Sequence, residues 1–365
     1  MLSIPQTTIQ PDAKGAIQPD AIEKTLRNLW RDIAASGTTL HVRTLNLLVY
    51  MSAPPDAALA KEINDVAVQS PGRTVTLQTA DGPPLAEATI ACRIGGSLQA
   101  CGEKIMLQAP NPQALHNLAL ALLQPGLPVV VWWHGAPAFI DPAHAALVRA
   151  ADHILLDSRT WPDPLPFLPL IAAARRRDHG VLRLSDLQWV ALTPWRQLIA
   201  QAFDAPTTCT MLPQATRLVV EYGGPAYRVG ALLLAGWFAT RLGWRVADDE
   251  GASQTGDDLV IMLRTEDDRP LTLTLRHHAG DHGVGGVELH STGEPPAHFV
   301  CHETPDAANV TTLIEVPPAP ALERITPLKS RSISGLIAEE LAQGHDDPSY
   351  TAALDYAILL ARKLS

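Results

Sequence analysis

The sequence predicts an α/β protein of two domains, with an N-terminal sheet covered by helices, Rossmann-like and mixed, and a smaller C-terminal α+β domain. Three observations predict it. From Pro19 to Phe203, short β-rich runs alternate with helical stretches, the order that covers a sheet with helices. Two of those runs, LPVVVWW at Leu127–Trp133 and HILLDS at His153–Ser158, hold unbroken apolar cores, as strands buried on both faces do. After Asp204–Pro213, which carries Pro206, Thr207, Thr208 and Pro213, strand candidates follow one another in series. That break sets the expected boundaries at 1–205 and 214–365.

Pro19–Ala35 reads as a helix, with Asp20 as its cap, Glu23 three residues on, and Ile22, Leu26, Leu29, Trp30 and Ile33 on one stripe. His41–Tyr50 (HVRTLNLLVY) reads as a strand, and Asp56–Gln69 as a helix. Arg73–Thr79, Ala86–Arg93 and Lys104–Gln108 read as strands. Pro112–Leu123 is helical and leads to the Leu127–Trp133 strand. Asp141–Ala151 is a helix opened by Asp141 as cap and Pro142 in the first turn. Phe167–Arg177 reads as a helix after four prolines between Pro162 and Pro169. A further helix starts at Pro194, with Thr193 as cap. Beyond the break, Ala215–Tyr222 is a strand, Gly223-Gly224-Pro225 a turn, and Tyr227–Leu242 a strongly apolar helix stopped by Gly243. Strands are expected at Leu259–Thr265, Leu271–His278, Gly286–Ser291, His298–His302 and Thr311–Val316. Pro317, Pro318 and Pro320 read as a linker to two closing helices, Ser332–Gln343 and Tyr350–Leu364.

Composition narrows the function classes. With 365 residues, 46 % of them hydrophobic and 18 % charged, the chain has ample material for packed cores. A formal charge of −10 argues against nucleic acid or an anionic membrane surface as partner. No apolar run reaches bilayer length, and Met1–Gly15 lacks the basic and apolar regions of a secretory signal, so a cytoplasmic location is expected. Cys92, Cys101, Cys209 and Cys301 form no C-x-x-C pair. They are expected to be buried thiols, with a redox pairing of Cys92 and Cys101 on adjacent strands as the alternative.

Catalytic signatures are missing. The sequence holds no P-loop, no G-x-G-x-x-G after a strand, no G-x-S-x-G elbow and no H-E-x-x-H helix. No cofactor, catalytic residue or metal is expected. His277, His278, His282 and His290 raise a metal reading, but adjacent strand residues point to opposite faces, so His277 and His278 cannot both join one site. Acidic groups at Asp248-Asp249-Glu250, Asp257-Asp258 and Glu266-Asp267-Asp268 read as solvated turns. Ligands of open α/β sheets bind beyond the strands' carboxyl ends, where Trp132, Trp133, His134, Asp157, Ser158 and Arg159 stand. With Trp161, Trp189, Trp195 and Arg196 these form a set of aromatic and arginine residues suited to a protein interface. Arg43, Arg73, Arg159 and Arg183 are the candidates for anion contacts, which would make the chain a sugar-phosphate- or nucleotide-binding enzyme or sensor.

The strings LRNLWRDI, HVRTLNLLVY, LPVVVWWHGAP, HILLDS and LSDLQWVALTPWRQLIAQAFD together resemble the glucose-6-phosphate dehydrogenase assembly protein OpcA family. The resemblance runs from Leu26 through Asp204 and continues more weakly through LVVEYGGPAYRVGALLLAGWFATRLGW. Its most specific elements are the Trp132-Trp133 pair and the D-L-x-W…P-W-R pattern at 186–196, neither of them a catalytic signature. The resemblance implies a non-catalytic partner of glucose-6-phosphate dehydrogenase that assists its assembly or activates it allosterically in the oxidative pentose phosphate pathway. Such a partner acts by binding one state of the enzyme better than another.

Overall fold

The computed structural model describes residues 6–364 apart from 36–38, 96–97, 178–181, 248–250, 257, 279–282, 295, 307, 329–331 and 345. The chain forms two compact units. One holds Met1–Asp157, Ala174–Leu187 and Ser332–Gly344; the other holds Ser158–Ala173, Gln188–Arg331 and His345–Ser365. The second unit therefore takes in the helix that precedes the expected boundary. It gives up the first closing helix, and the two units are nearly equal in length.

The first unit is built on strands β1 (Thr7–Ile9), β2 (Thr39–His41), β3 (Asn46–Met51), β4 (Arg73–Thr79), β5 (Leu85–Gly95), β6 (Leu98–Ala109), β7 (Val129–His134), β8 (His153–Leu156) and β9 (Arg183–Asp186). Their order is β1-β5-β6-β4-β3-β7-β8-β9, with β2 beside β6. The six strands from β6 to β9 run parallel, and β5 and β1 add an antiparallel edge. Along β6-β4-β3-β7-β8-β9 this is the doubly wound Rossmann order, reversing direction between β3 and β7. Every residue of β3 is buried, and so are Val129–Trp133 of β7. The uniformly apolar runs signal this double-sided burial.

Helices α1 (Pro19–Ala34), α2 (Ala57–Gln69), α3 (Pro112–Ala121) and α4 (Ala145–Ala150) supply the crossovers and cover. Four of the five residues expected on the α1 stripe, Ile22, Leu26, Leu29 and Ile33, are buried, and Trp30 is half-buried. Its cap differs. Gln18 is the N-cap, no side chain caps the helix, and Asp20 sits in the first turn. Pro19 at the first position starts the helix one residue before Asp20 can serve. HVRTLNLLVY is two strands rather than one, because β2 pairs with β6 while β3 starts afresh between β4 and β7. Asp141–Ala151 breaks into a 3-10 turn, Pro142–His144, and the short α4; Asp141 still caps, accepting from the Ala143 N–H at 2.8 Å.

Cys92 and Cys101 face each other in the β5–β6 register and are joined by a disulfide with Cα atoms 4.0 Å apart. The expectation of four free thiols is corrected for this pair. A nine-residue hairpin separation placed the two sulfurs opposite each other. Cys209 is free and exposed, and Cys301 is free and buried.

Helix α5 (Leu168–Arg177) and the turn α6 (Leu187–Ala191) carry the chain onward to α7 (Thr193–Ala202) and α8 (Pro206–Cys209). Leu192, not Thr193, is the N-cap of α7, which already includes Thr193. The second sheet holds β10 (Ala215–Gly223), β11 (Arg245–Val246), β12 (Ser253–Thr255), β13 (Asp258–Arg264), β14 (Pro270–His278), β15 (Val284–Ser291), β16 (His298–Glu303), β17 (Asn309–Glu315) and β18 (Leu322–Pro327). The order is β11-β13-β14-β10-β15-β16-β17-β18, with β12 beside β13. Among the described residues only β10 and β14 of this sheet pair in parallel. The stretch after Pro320, expected as linker, continues into the edge strand β18, where Leu322 and Ile325 are exposed.

Helix α9 (Arg228–Leu242) is buried along most of its length, from Val229 to Gly236 without a break. A helix that is apolar all round belongs inside. Gly236 lets it approach α11 (Pro348–Leu364): a Cβ there would stand 2.5 Å from the Ala353 carbonyl oxygen. The remaining helix, α10 (Ile333–Gln343), belongs to the first unit. Its Ser332 cap accepts from the Gly335 N–H at 3.1 Å. No helix among the described residues is long and apolar enough to cross a membrane.

Candidate functional site

The carboxyl ends of β3 and β7 flank the point where strand order reverses, the usual ligand crevice of this architecture. The crossover from β3 to α2 is Ser52-Ala53-Pro54-Pro55-Asp56. A dinucleotide's pyrophosphate needs glycines for close approach and free N–H groups at the helix start. This turn supplies no glycine, and two of its residues are prolines, which lack the N–H. The Asp56 carboxylate occupies the helix N-terminus, accepting from the Leu59 N–H at 2.8 Å. An anion there is opposed by a charge already in place.

Beside the turn, side chains fill the space. Tyr50 and Trp133 stack at 4.1 Å between ring centroids, and His144 meets both edge-on at 4.9 and 5.0 Å. Phe139 packs edge-on against Trp133 at 5.6 Å. The Trp133 indole N–H donates to the Ala136 carbonyl at 2.9 Å. His144 Nδ1 and His116 Nε2 lie 3.2 Å apart, one donating to the other. Burial, and next the neighbouring His144, push His116 down to about 4; burial lowers His144 as well. Both imidazoles are therefore neutral near pH 7.

The sequence-predicted interface set divides sharply. Trp132, Trp133, Trp161, Trp189 and Trp195 are between 0 and 4 % exposed. These five are core side chains and not surface anchors, which corrects the expectation for them. Their apolar area is what the fold buries first. His134, Arg159 and Arg196 are half-buried and Arg43 is exposed. Arg43 and Arg73 line one cavity of about 340 Å³ together with Glu23. Arg73 is nevertheless committed. Its Nε donates to Glu103 at 2.7 Å, and its terminal nitrogens donate to Glu23 and to the Leu122 carbonyl. Glu103 also accepts from Trp30 at 2.9 Å and Gln124 at 3.0 Å. Arg183 donates to Glu340. Arg43 lies in the loop between β2 and β3, Arg73 at the amino end of β4 and Arg183 at the amino end of β9. Arg43, Arg73 and Arg183, the three in the first unit, do not converge on one anion site, since β3, β7 and β8 stand between β4 and β9.

Trp189 and Arg196 of the D-L-x-W…P-W-R pattern form a structural bracket within the second unit, whereas its Asp186 and Leu187 belong to the first. The Arg196 guanidinium lies 3.5 Å over the Trp189 ring and donates to the Trp189 carbonyl at 3.0 Å. The Trp189 indole N–H donates to Asp347 at 2.8 Å. Gln188 was missed by sequence reasoning. Its amide donates to Ser158 at 2.7 Å and to the Ala226 carbonyl at 3.0 Å, and its oxygen accepts from the Gly230 N–H at 3.0 Å. It therefore caps α9 from a distance in sequence that no local pattern reveals.

The polar surface of the second sheet gathers charge. Arg276 on β14 pairs with Glu221 at 3.0 Å, Asp258 at 3.4 Å and Glu288 at 3.5 Å. His302 faces Glu221 at 3.4 Å and Glu288 at 3.8 Å. His290 and His298 stack at 4.2 Å across β15 and β16. Of the histidines raised by sequence, His277 packs edge-on to Tyr222 at 5.9 Å, and His282 lies outside the described residues, as do Asp248–Glu250 and Asp257.

Two family descriptions match the chain. Residues 63–173 match the glucose-6-phosphate dehydrogenase subunit N-terminal domain, and residues 182–354 match its C-terminal domain. Among curated proteins, a putative OxPP cycle protein OpcA of Synechococcus elongatus is 32 % identical over 66 % of this chain and 57 % of its own length. A protein of the same description from Nostoc punctiforme is 27 % identical over 76 % of this chain and 62 % of its own. The chain thus spans about three fifths of these relatives. Among solved structures, an oxidoreductase from Sinorhizobium meliloti superposes with a TM-score of 0.52 at 11 % identity, covering 88 % of this chain and 97 % of that one. An NAD binding oxidoreductase from Klebsiella pneumoniae gives 0.51 at 11 %, covering 88 and 95 %. At that identity the likeness is one of fold.

Proposed function

The chain belongs to the OpcA family of glucose-6-phosphate dehydrogenase subunits, and on that premise we propose that it binds glucose-6-phosphate dehydrogenase and promotes its assembly or activity, performing no turnover of its own. The observation that carries the reading is that both subunit-domain descriptions match, in order, across most of the chain. The site chemistry supports it. The fold is one on which oxidoreductases are built, yet the crossover where a dinucleotide would dock is Pro-Pro-Asp rather than glycine-rich, and aromatic and histidine rings fill the space next to it. Function lives in sites and not in folds.

The physical mechanism is linkage. A partner that binds the active oligomer of the enzyme better than its inactive forms shifts the population toward it by the difference in binding free energy. It needs no contact with substrate. The proposed location for this action is the compartment of the dehydrogenase, the cytoplasm. No nucleic acid or membrane enters the scheme.

The test is to titrate the protein into glucose-6-phosphate dehydrogenase from the same organism. A saturable rise in activity, co-elution on a sizing column and no NADP reduction by the protein alone are expected. Unchanged activity together with separate elution refutes the proposal.

A further inference from the structure

We propose that the open face of the second sheet holds a zinc-type divalent metal site whose ligands are Glu288, His290 and His298. The placement follows from strand geometry. Residues two apart on a strand share a face, so Glu288 and His290 of β15 stand side by side. His298 of β16 is the direct cross-strand partner of His290. One ligand atom from each of the three lies within 4.8 Å of the others. His290 Nε2 and a Glu288 carboxylate oxygen are already 3.2 Å apart. Zinc bonds of about 2.0–2.2 Å to nitrogen and oxygen set neighbouring ligand atoms of a tetrahedron about 3.3 Å apart. Bringing His298 in requires closing at most about 1.5 Å.

Two further observations point the same way. The Nε2 atom of His298 is buried and has no hydrogen-bond partner. An unsatisfied buried polar atom is costly, and a coordination bond removes the cost. The face also carries more negative than positive charge. Glu221, Asp258, Glu288 and Glu315 stand against Arg276 and Arg217, the latter opposite His290 in β10. Arg276 and His302 address the second oxygen of Glu288 at 3.5 and 3.8 Å, which orients the carboxylate as outer-shell partners of metal ligands do. Two imidazoles and one carboxylate suit zinc rather than calcium or magnesium, and leave a fourth position open.

The experiment titrates Zn²⁺ into the metal-free full chain in a Cys209→Ser background, which removes the exposed thiol as a competitor. One equivalent should bind, and Glu288→Gln, His290→Ala and His298→Ala should each weaken it at least about tenfold. His277→Ala, on the opposite face, should leave it unchanged. Histidine side-chain NMR of the unsubstituted chain provides a readout independent of variant folding: Zn²⁺ should move the His290 and His298 ring resonances and not those of His277. Absence of stoichiometric binding, affinity indifferent to all three substitutions, or perturbation of other histidines alone overturns the proposal.

Discussion

Acid should loosen the first unit through His153, and the size of the effect follows from its surroundings. His153 opens β8 and is 5 % exposed. Its Nε2 lies 3.0 Å from Ser185 Oγ, and that hydroxyl gives its own proton to Glu340 at 2.6 Å. Nε2 must therefore carry the hydrogen and donate it, which fixes the neutral tautomer. Burial first, then the Arg183 charge, push the imidazole down to about 3 from 6.5. A group depressed in the folded state contributes stability that is fully present above its unfolded pKa. That contribution drains away as pH falls from about 6.5 toward 3. The full shift corresponds to roughly 5 kcal/mol, and the part lost between pH 7 and pH 5 to about 2 kcal/mol. Urea unfolding of the native chain and of His153→Gln at intervals from pH 7.5 to 5 isolates the term. The stability difference between them should move by about 2 kcal/mol across that range, in the direction that favours the variant at low pH. A difference that stays constant with pH would mean that the imidazole titrates alike in both states and refutes the argument.

Other perturbations have equally definite outcomes. Gly236→Ala drives a Cβ to 2.5 Å from the Ala353 carbonyl oxygen and should cost about 1–3 kcal/mol by overpacking, read as a lower denaturation midpoint. Glu103→Ala removes the main buried partner of Arg73 and should cost about 3–5 kcal/mol, whereas a charge-removing pair, Arg73→Met with Glu103→Leu, should recover much of it. Gln188→Ala strips the α9 cap and the Ser158 contact, with an expected loss of about 1–3 kcal/mol in thermal unfolding. Thiol counting on the denatured, unreduced chain should find two cysteines, Cys209 and Cys301, and four after reduction. Removing the Cys92–Cys101 link should lower stability by about 2–3 kcal/mol on loop-entropy grounds.

Periodicity and composition made most of the fold legible. The VVVWW and ILL runs announced strands covered on both faces, and ALLLAGWFATRL announced a helix enclosed on all sides, because double burial erases alternation and leaves only apolar residues. What local pattern could not carry was pairing. HVRTLNLLVY looks like one strand, yet its halves join different neighbours. The chain after Pro320 looks like linker, yet it finds β17 as a partner. Caps were misplaced by one or two residues at Pro19 and Pro194, though Asp141 before Pro142 was placed correctly. The site was harder to read. Tryptophans suit interfaces and cores alike, and exposure alone separates the two. Arg73 advertises a free charge in sequence that Glu23 and Glu103 consume in space. The Glu288–His290–His298 group straddles two strands, so only the β15–β16 register brings it together, whereas the more conspicuous His277-His278 doublet is split by the pleat.

The piece that completes the first unit comes very late in the chain. Helix α10 supplies Glu340, the acceptor for Ser185 and Arg183, and the whole stretch Gln188–Arg331 between β9 and that helix belongs to the other unit. A ribosome makes the chain from its amino end, and domains generally fold as they emerge. Here the nine strands of the first sheet are all synthesised by Asp186, but the carboxylate that answers Arg183 leaves the tunnel only after residue 340. For the interval of translation between them, Ser185 and Arg183 of β9 lack the Glu340 carboxylate. The buried group of His153, Ser185 and Arg183 is thus laid down early in synthesis and receives its acceptor late, so the last polar contact of the first unit depends on the C-terminal part of the chain.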